Sequence, residues 1–197
     1  MERALLVVLS LLFILIPASG HCLSSAFETT VYDPGPLKPL DSELKVKVGS
    51  PVPNFTLPSL SGKRIGPGQF LGEKNIVLSF IPAAWTPVCS DQWPGYNIAK
   101  PLFDSYDAVL LGISVDSLAT LHSWTQVMGE LWFDVLSDFW PHGGVADSFG
   151  ILRSDGMAER AIIIIDKKGI IRFIHVSDIN VRPDLGMIIR ELQAIKP

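Results

Sequence analysis

The segment between residues 76 and 92 most constrains how this chain can fold. The run from Ile76 to Ile81 is almost entirely apolar, short and sharply bounded, which is typical of a buried β-strand. Pro82 cannot donate a hydrogen bond to a neighbouring strand, so we expect the strand to end there. Thr86 followed by Pro87 then predicts a helix start, because a threonine hydroxyl can accept from the free amides of a first turn and proline at the first position loses no hydrogen bond.

Cys89 falls in the first turn of this predicted helix. The unpaired amides and the dipole at a helix N-terminus favour a negatively charged sulfur. The thiolate, and not the thiol, is the nucleophile, so this position favours a reactive cysteine. A buried structural cysteine is the ordinary alternative for a lone cysteine. The placement at a helix start makes us predict a working thiol.

The N-terminus predicts a signal peptide over residues 1–20. Arg3 precedes an uncharged apolar run from Ala4 to Ile16, and small residues follow up to Gly20. This pattern is typical of an export signal, and its apolar part is short for a membrane span. We therefore expect an exported protein, on the periplasmic or extracellular side. The alternative is an uncleaved anchor through residues 4–16, which would attach the protein to a membrane.

Residues 21–47 are polar and contain several prolines, so they predict a linker that precedes a single domain over residues 48–197. The formal net charge is −4 and no basic cluster occurs, which argues against nucleic-acid binding. No group of Cys and His residues has the spacing of a zinc site. The sequence predicts neither a metal site nor a cofactor.

Strands and helices alternate along the rest of the domain. Two further apolar runs, Ala108 to Ser114 and Ala161 to Asp166, predict buried strands, and residues 167–175 predict a hairpin after the second. Four helices are predicted. The first carries Cys89 and extends to about Asp104, disturbed by Pro94 and Pro101. The others are one capped by Asp116 or Ser117, a short one that ends near Gly150, and one opened by Pro183. This order predicts an α/β fold with a central mixed β-sheet flanked by helices on both faces.

Three features of the sequence resemble one known family. Pro82, Thr86 and Cys89 have the spacing P-x-x-x-T-x-x-C, Val48 begins a phrase ending in Phe55-Thr56-Leu57, and Arg160 directly precedes an apolar strand. Together they resemble the peroxiredoxins, the alkyl hydroperoxide reductase and thiol-specific antioxidant family. The resemblance covers roughly residues 48–195 and implies a thioredoxin-like fold.

The resemblance implies a role for each matching residue. Cys89 would attack a peroxide and become a sulfenic acid, Thr86 would hydrogen-bond the thiolate and the peroxide, and Pro82 would shield the sulfur from water. Arg160 would place its guanidinium against the sulfur, and Gln92 would position that arginine. The residues taken alone leave other interpretations open: a helix cap for Thr86, a strand end for Pro82, a surface charge for Arg160 and a solvated helix position for Gln92.

A second thiol that could regenerate Cys89 is missing from the positions where two-cysteine peroxiredoxins keep it. Only Cys22 remains, in the predicted linker, and we do not expect it to act as a resolving thiol. The resemblance therefore implies a one-cysteine peroxidase that reduces hydrogen peroxide or organic hydroperoxides. It would be regenerated by an external thiol, either a thioredoxin-like protein or a small molecule, and it would form a homodimer. The alternatives are a non-catalytic redox sensor and a thiol–disulfide oxidoreductase. The absence of a C-x-x-C motif weighs against the second, since Gln92 stands where it needs a cysteine.

Overall fold

The computed structural model describes residues 30–195. The predicted signal peptide and Cys22 lie outside these residues. The elements, in chain order, are β1 (Leu57–Pro58), β2 (Arg64–Ile65), a 3₁₀ turn (Pro67–Gln69), β3 (Asn75–Phe80), α1 (Pro87–Ile98), α2 (Lys100–Ser105), β4 (Ala108–Ser114), α3 (Leu118–Met128), β5 (Asp134–Ser137), α4 (Gly144–Phe149), β6 (Ala161–Ile165), β7 (Ile171–Val176) and α5 (Leu185–Ala194). None of these helices is long and apolar enough to cross a membrane.

Five strands form the central sheet, in the order β5-β4-β3-β6-β7. β3 and β4 are parallel, as are β4 and β5, whereas β6 runs antiparallel to both β3 and β7. The predicted mixed sheet is therefore confirmed. β3 lies in the middle with all six residues buried, which explains why four of the six are apolar and why apolar and polar residues do not alternate along it.

Two hydrophobic clusters cover the two faces of this sheet. α1, α2, α3 and α5 pack on one face, whereas α4 and the β1–β2 ribbon cover the other. On the first face the ring of Trp93 lies against the backbone of Gly112, where a Cβ atom would stand only 2.7 Å from the ring. Glycine in β4 thus lets α1, and with it Cys89, lie close to the sheet.

Proline positions decide where the first helix ends. α1 continues through Pro94 to Ile98, and Pro101 occupies the first turn of α2, where its missing N–H breaks no helical hydrogen bond. The predicted disturbance at Pro101 is therefore a break between two helices. Pro183 does not itself open the last helix, because the carboxylate of Asp184 caps α5 by accepting from the amides of Gly186 and Met187.

Residues 30–47, within the predicted linker, contain no helix or strand but lie against the domain. The amide of Lys45 donates to the carbonyl of Phe149 at 3.0 Å, and the amide of Ile179 donates to the carbonyl of Pro39 at 3.1 Å. This part of the chain passes so close to Gly150 that a Cβ atom there would meet backbone atoms at 2.2 Å. These residues therefore do not behave as a free tether, because their backbone hydrogen bonds are made with the domain. The boundary at residue 48 stays a prediction.

Candidate active site

The loop after β3 carries the first residues of the site. Pro82 is buried and lies just after the strand, which ends at Phe80, one residue before the predicted end at Ile81. The amide of Ala84 donates to the carboxylate of Asp116 at 2.7 Å, which fixes the loop beside the end of β4. Trp85 adopts a left-handed backbone with φ of 62°, a conformation that costs a non-glycine residue about 1–3 kcal/mol. The loop therefore stands at the carboxyl ends of two parallel strands, a usual place for a site in an α/β sheet.

Thr86 occupies the N-cap position of α1, but its hydroxyl does not cap the helix. The side-chain Oγ1 donates instead to the carbonyl of Ala83 at 2.8 Å, back within the loop. Pro87 follows at the first helical position, as predicted. The predicted capping role is thus wrong for this side chain. Since the proton of the hydroxyl is given to Ala83, the oxygen keeps its lone pairs for an incoming donor.

Cys89 is the third residue of α1 and its side chain is fully buried. It is the only cysteine among residues 30–195 and is a free thiol. Its position in the first turn places the sulfur near the positive end of the helix dipole, which favours the thiolate.

Arg160 directly precedes β6 and is also buried, with only 2% of its surface exposed. Its guanidinium makes three contacts. Nη2 donates to the sulfur of Cys89 at 3.4 Å, Nη1 donates to Oε1 of Gln92 at 2.6 Å, and Nε donates to the carbonyl of Ile179 at 3.0 Å. A buried guanidinium held by this many acceptors is fixed in orientation, and its charge favours the thiolate of Cys89.

Gln92 is fully buried one turn after Cys89, so it is not the solvated helix residue that the sequence left open. Its Nε2 donates to the hydroxyls of Ser79 and Tyr96, both at 3.1 Å, which leaves Oε1 for the arginine. The hydroxyl of Tyr96 is protonated at neutral pH, and burial raises its pKa further, to about 12. The network therefore fixes the amide of Gln92 with its oxygen towards Arg160.

A cavity of about 350 Å³ opens in front of these groups. Pro82, Thr86 and Arg160 line it, together with part of the N-terminal segment. Arg160 thus contacts both the cavity and the buried sulfur. Within residues 30–195, no three His, Cys, Asp or Glu side chains are placed so that they could hold a metal ion together.

The structure brings Pro82, Thr86, Cys89 and Arg160 together in one place. The sequence did not point to Ile179 or Ser79, which also hold the network. Ile179 acts through its backbone carbonyl, so its side chain gives no signal. Ser79 does give a signal in the sequence, because a lone hydroxyl in a buried, largely apolar strand needs a hydrogen-bond partner.

Comparison with known proteins decides the family. The model of the AhpC/TSA family matches residues 48–174. This chain belongs to that family. The alkyl hydroperoxide reductase E of Mycobacterium tuberculosis is 35% identical over 129 residues, which are 65% of this chain and 84% of the relative. A chloroplastic 2-cysteine peroxiredoxin of Chattonella marina var. antiqua is 30% identical over 162 residues, covering 78% of this chain and 82% of the relative.

Solved structures agree with this family. The reduced 2-Cys peroxiredoxin of Plasmodium vivax superposes with a TM-score of 0.71 at 26% identity, covering 76% of this chain and 82% of that chain. AhpC of Mycobacterium tuberculosis, at 24% identity and a TM-score of 0.69, shows the same fold over 76% of this chain and 93% of its own. The predicted thioredoxin-like fold and thiol-dependent peroxidase activity of this AhpC/TSA protein are confirmed. The one-cysteine type stays a prediction.

Proposed function

We propose that this AhpC/TSA protein is a one-cysteine peroxidase that reduces hydrogen peroxide or organic hydroperoxides through Cys89 and is regenerated by an external thiol. The observation that carries the proposal is the 3.4 Å contact between Nη2 of Arg160 and the sulfur of Cys89, made by an arginine that also lines the cavity. A charge at this place both favours the thiolate and faces the position that a peroxide must occupy.

The reaction has two stages. The thiolate of Cys89 attacks the outer oxygen of the hydroperoxide, so that an S–O bond forms and the O–O bond breaks. The alkoxide or hydroxide leaves with the bonding electrons and is protonated, and the sulfur is oxidised to a sulfenic acid. An external thiol then attacks this sulfur and releases water, and a second thiol displaces Cys89 from the mixed disulfide.

Four residues support the first stage. Arg160 stabilises the thiolate and the charge that develops on the departing oxygen. The oxygen of Thr86 accepts a hydrogen bond from the peroxide, because its own proton is already given to Ala83. Pro82 keeps water away from the sulfur, and Gln92 is a positioning residue that holds Arg160 in place.

The cysteine content supports regeneration by an external thiol. Cys89 is the only cysteine among residues 30–195, and the remaining one, Cys22, lies outside them. The functional unit that we propose is a homodimer, and the exposed side chains of Phe139 and Trp140 support it, since they expose 51% and 82% of their surfaces. A molar mass from light scattering at twice the mass of the chain tests this.

The proposed place of action is outside the cytoplasm. The charge and hydropathy pattern of residues 1–20 supports export, with an anchor through residues 4–16 as the alternative. Fractionation followed by N-terminal sequencing separates the two: a soluble mature protein that begins near residue 21 supports export, and a membrane-bound protein that begins at Met1 supports the anchor.

Stopped-flow tryptophan fluorescence tests the peroxidase chemistry. The reduced protein without residues 1–20 is mixed with hydrogen peroxide, and Trp93, buried in the same helix as Cys89, provides the signal. We expect a rapid second-order change that is absent in Cys89→Ser, followed by steady turnover when a thiol is added. Oxidation no faster than that of a free thiol contradicts the proposal. Rapid oxidation that no thiol reverses would instead indicate a sensor.

A further inference from the structure

Residues 33–37, which we call the strap, form one wall of the cavity in front of Arg160. All five strap residues line the cavity, whose other walls include Thr86 and Arg160. The charge of the strap is confined to Asp33, whose carboxylate accepts from the amide of Gly35 at 2.8 Å. The residues after it, through Leu37, are uncharged and without polar side chains. The strap therefore offers an apolar surface opposite the polar groups of the site.

Hydrogen bonds fix the strap at both ends to the loops that build the site. On one side, the amide of Tyr32 donates to the carbonyl of Trp85 at 2.7 Å, immediately before Thr86. On the other side, Leu37 and Asn180 pair through two bonds of 2.9 Å: the amide of Leu37 donates to Oδ1 of Asn180, and Nδ2 of Asn180 donates to the carbonyl of Leu37. The strap is thus preorganised as a wall and need not be ordered when a ligand arrives.

The loop that holds the strap also holds Arg160. Ile179 accepts from Nε of Arg160 through its carbonyl and donates through its amide to the carbonyl of Pro39. Its neighbour Asn180 makes the pair with Leu37. A single pair of consecutive residues therefore sets the distance between the guanidinium and the apolar wall.

We infer that the strap favours hydroperoxides with an apolar carbon body over hydrogen peroxide, with Leu37 and Asn180 as specificity-determining residues. The inference rests on the proposed function. Hydrogen peroxide has no apolar part and uses only the polar groups, whereas an alkyl or aryl group also contacts the strap, Val88 and Met157. The cavity volume of about 350 Å³ lies within the range of about 300–1,000 Å³ that is usual for small-molecule sites.

Rate constants for two peroxides test this inference. The second-order rate constant for Cys89 oxidation is measured with cumene hydroperoxide and with hydrogen peroxide, in the wild type, Leu37→Ala and Asn180→Ala. We expect the ratio of the cumene to the hydrogen peroxide rate constant to fall about tenfold in each variant, the low end of what a lost apolar contact costs in a substrate pocket. Leu40→Ala is the matched control, because Leu40 is half exposed and does not line the cavity.

The outcomes are distinct. A ratio unchanged in Leu37→Ala, or an equal loss for both peroxides, overturns the role of the strap and leaves the peroxidase proposal standing. A wild type that reacts with neither peroxide overturns the proposed function and this inference with it. If Asn180→Ala fails to fold, Leu37→Ala decides, since it retains both backbone hydrogen bonds to Asn180.

Discussion

Arg160 joins Gln92 and Cys89, because one guanidinium nitrogen donates to the glutamine oxygen at 2.6 Å while the other faces the sulfur at 3.4 Å. The two acceptors lie one turn apart on α1, whereas Arg160 precedes β6. The arginine therefore crosses from the sheet to the helix and holds the start of α1 against the strand that neighbours β3. The side chain of Arg160 therefore both supplies the positive charge beside Cys89 and joins α1 to the sheet.

Arg160→Lys should lower the second-order rate constant for peroxide by about 10²–10³, the usual cost of one preorganised donor. A lysine carries a point charge and cannot reproduce the three contacts to Cys89, Gln92 and Ile179. Stopped-flow fluorescence measures the rate constant, and Arg190→Lys, at an exposed arginine on α5, is the control. A rate constant within threefold of the wild type would show that the arrangement of the guanidinium donors of Arg160 does not matter for the reaction.

Gln92→Leu should lower the same rate constant about tenfold, because Arg160 loses its shortest side-chain acceptor. Gln92→Glu retains an acceptor at this position and should restore most of the activity. A merely structural role predicts a different pattern, in which both variants lose activity in proportion to their loss of stability in urea. Equal activities for the two variants would therefore contradict a positioning role.

Thr86→Val should separate activity from stability. The hydroxyl does not cap α1, so its loss removes only the bond to Ala83 and should cost about 1 kcal/mol of unfolding free energy. The rate constant with peroxide should fall at least tenfold, since the acceptor for the peroxide disappears, and Thr86→Ser should recover it. A large loss of stability with little loss of rate would return Thr86 to a structural role.

Tyr96 should make the protein less stable at high pH. Burial raises its pKa from 10 to about 12 in the folded protein, so the folded state keeps this proton while the unfolded state loses it. The contribution of this proton to the free energy of unfolding is complete below pH 10. It falls by roughly 2 kcal/mol as the pH rises towards 12. Urea unfolding between pH 9 and 12 measures it. Tyr96→Phe should show a smaller decline over this window, and an identical decline would contradict the prediction.

The sequence predicted the strands well because their signals are local. The runs predicted at residues 108–114 and 161–166 coincide with β4 and extend one residue beyond β6, since a strand buried on both faces is largely apolar. Cys89 was singled out by its predicted place at a helix start, whereas the role of Arg160 was found only through the resemblance to the peroxiredoxins. Nothing in the local sequence around Arg160 indicates that this arginine is buried against Cys89, which lies 71 positions earlier in the chain.

The contacts of the N-terminal segment could not be predicted in the same way. Proline and polar residues around Leu37 indicate irregular backbone, and irregular backbone can hang free or lie against a domain. The deciding partner is Asn180, an exposed amide that hydrogen-bonds the backbone of a segment 143 positions earlier. Because Asn180 binds backbone atoms of Leu37, the sequence contains no pair of complementary side chains that would predict this contact. The packing of the strap is therefore known only from the structure.

Arg153 and Glu159 form a buried ion pair that should stabilise this packed segment. Their side chains expose 2% and 0% of their surfaces and are joined at 2.9 Å. Each also binds the N-terminal segment: Nη2 of Arg153 donates to the carbonyl of Lys38 at 3.1 Å, and Oε1 of Glu159 accepts from the amide of Asp41 at 2.6 Å. The pair thus connects the residues after the strap to the chain just before Arg160.

Arg153→Met should lower the unfolding free energy by about 3–5 kcal/mol, because it leaves the buried carboxylate of Glu159 without an ionic partner. Glu159→Gln should cost less, because Nε of Arg153 still donates to the carboxylate of Asp155 at 3.1 Å. The double variant should lose clearly less than the sum, since removing both partners leaves no unpaired charge. Urea unfolding of the four proteins measures the coupling, and Lys100→Met, from an exposed pair with Asp104, is the control, with an expected loss below about 1 kcal/mol. Strict additivity would show that the two buried charges do not depend on each other. A stable single variant whose strap is released should also lose preference for cumene hydroperoxide, which ties this ion pair to the substrate cavity.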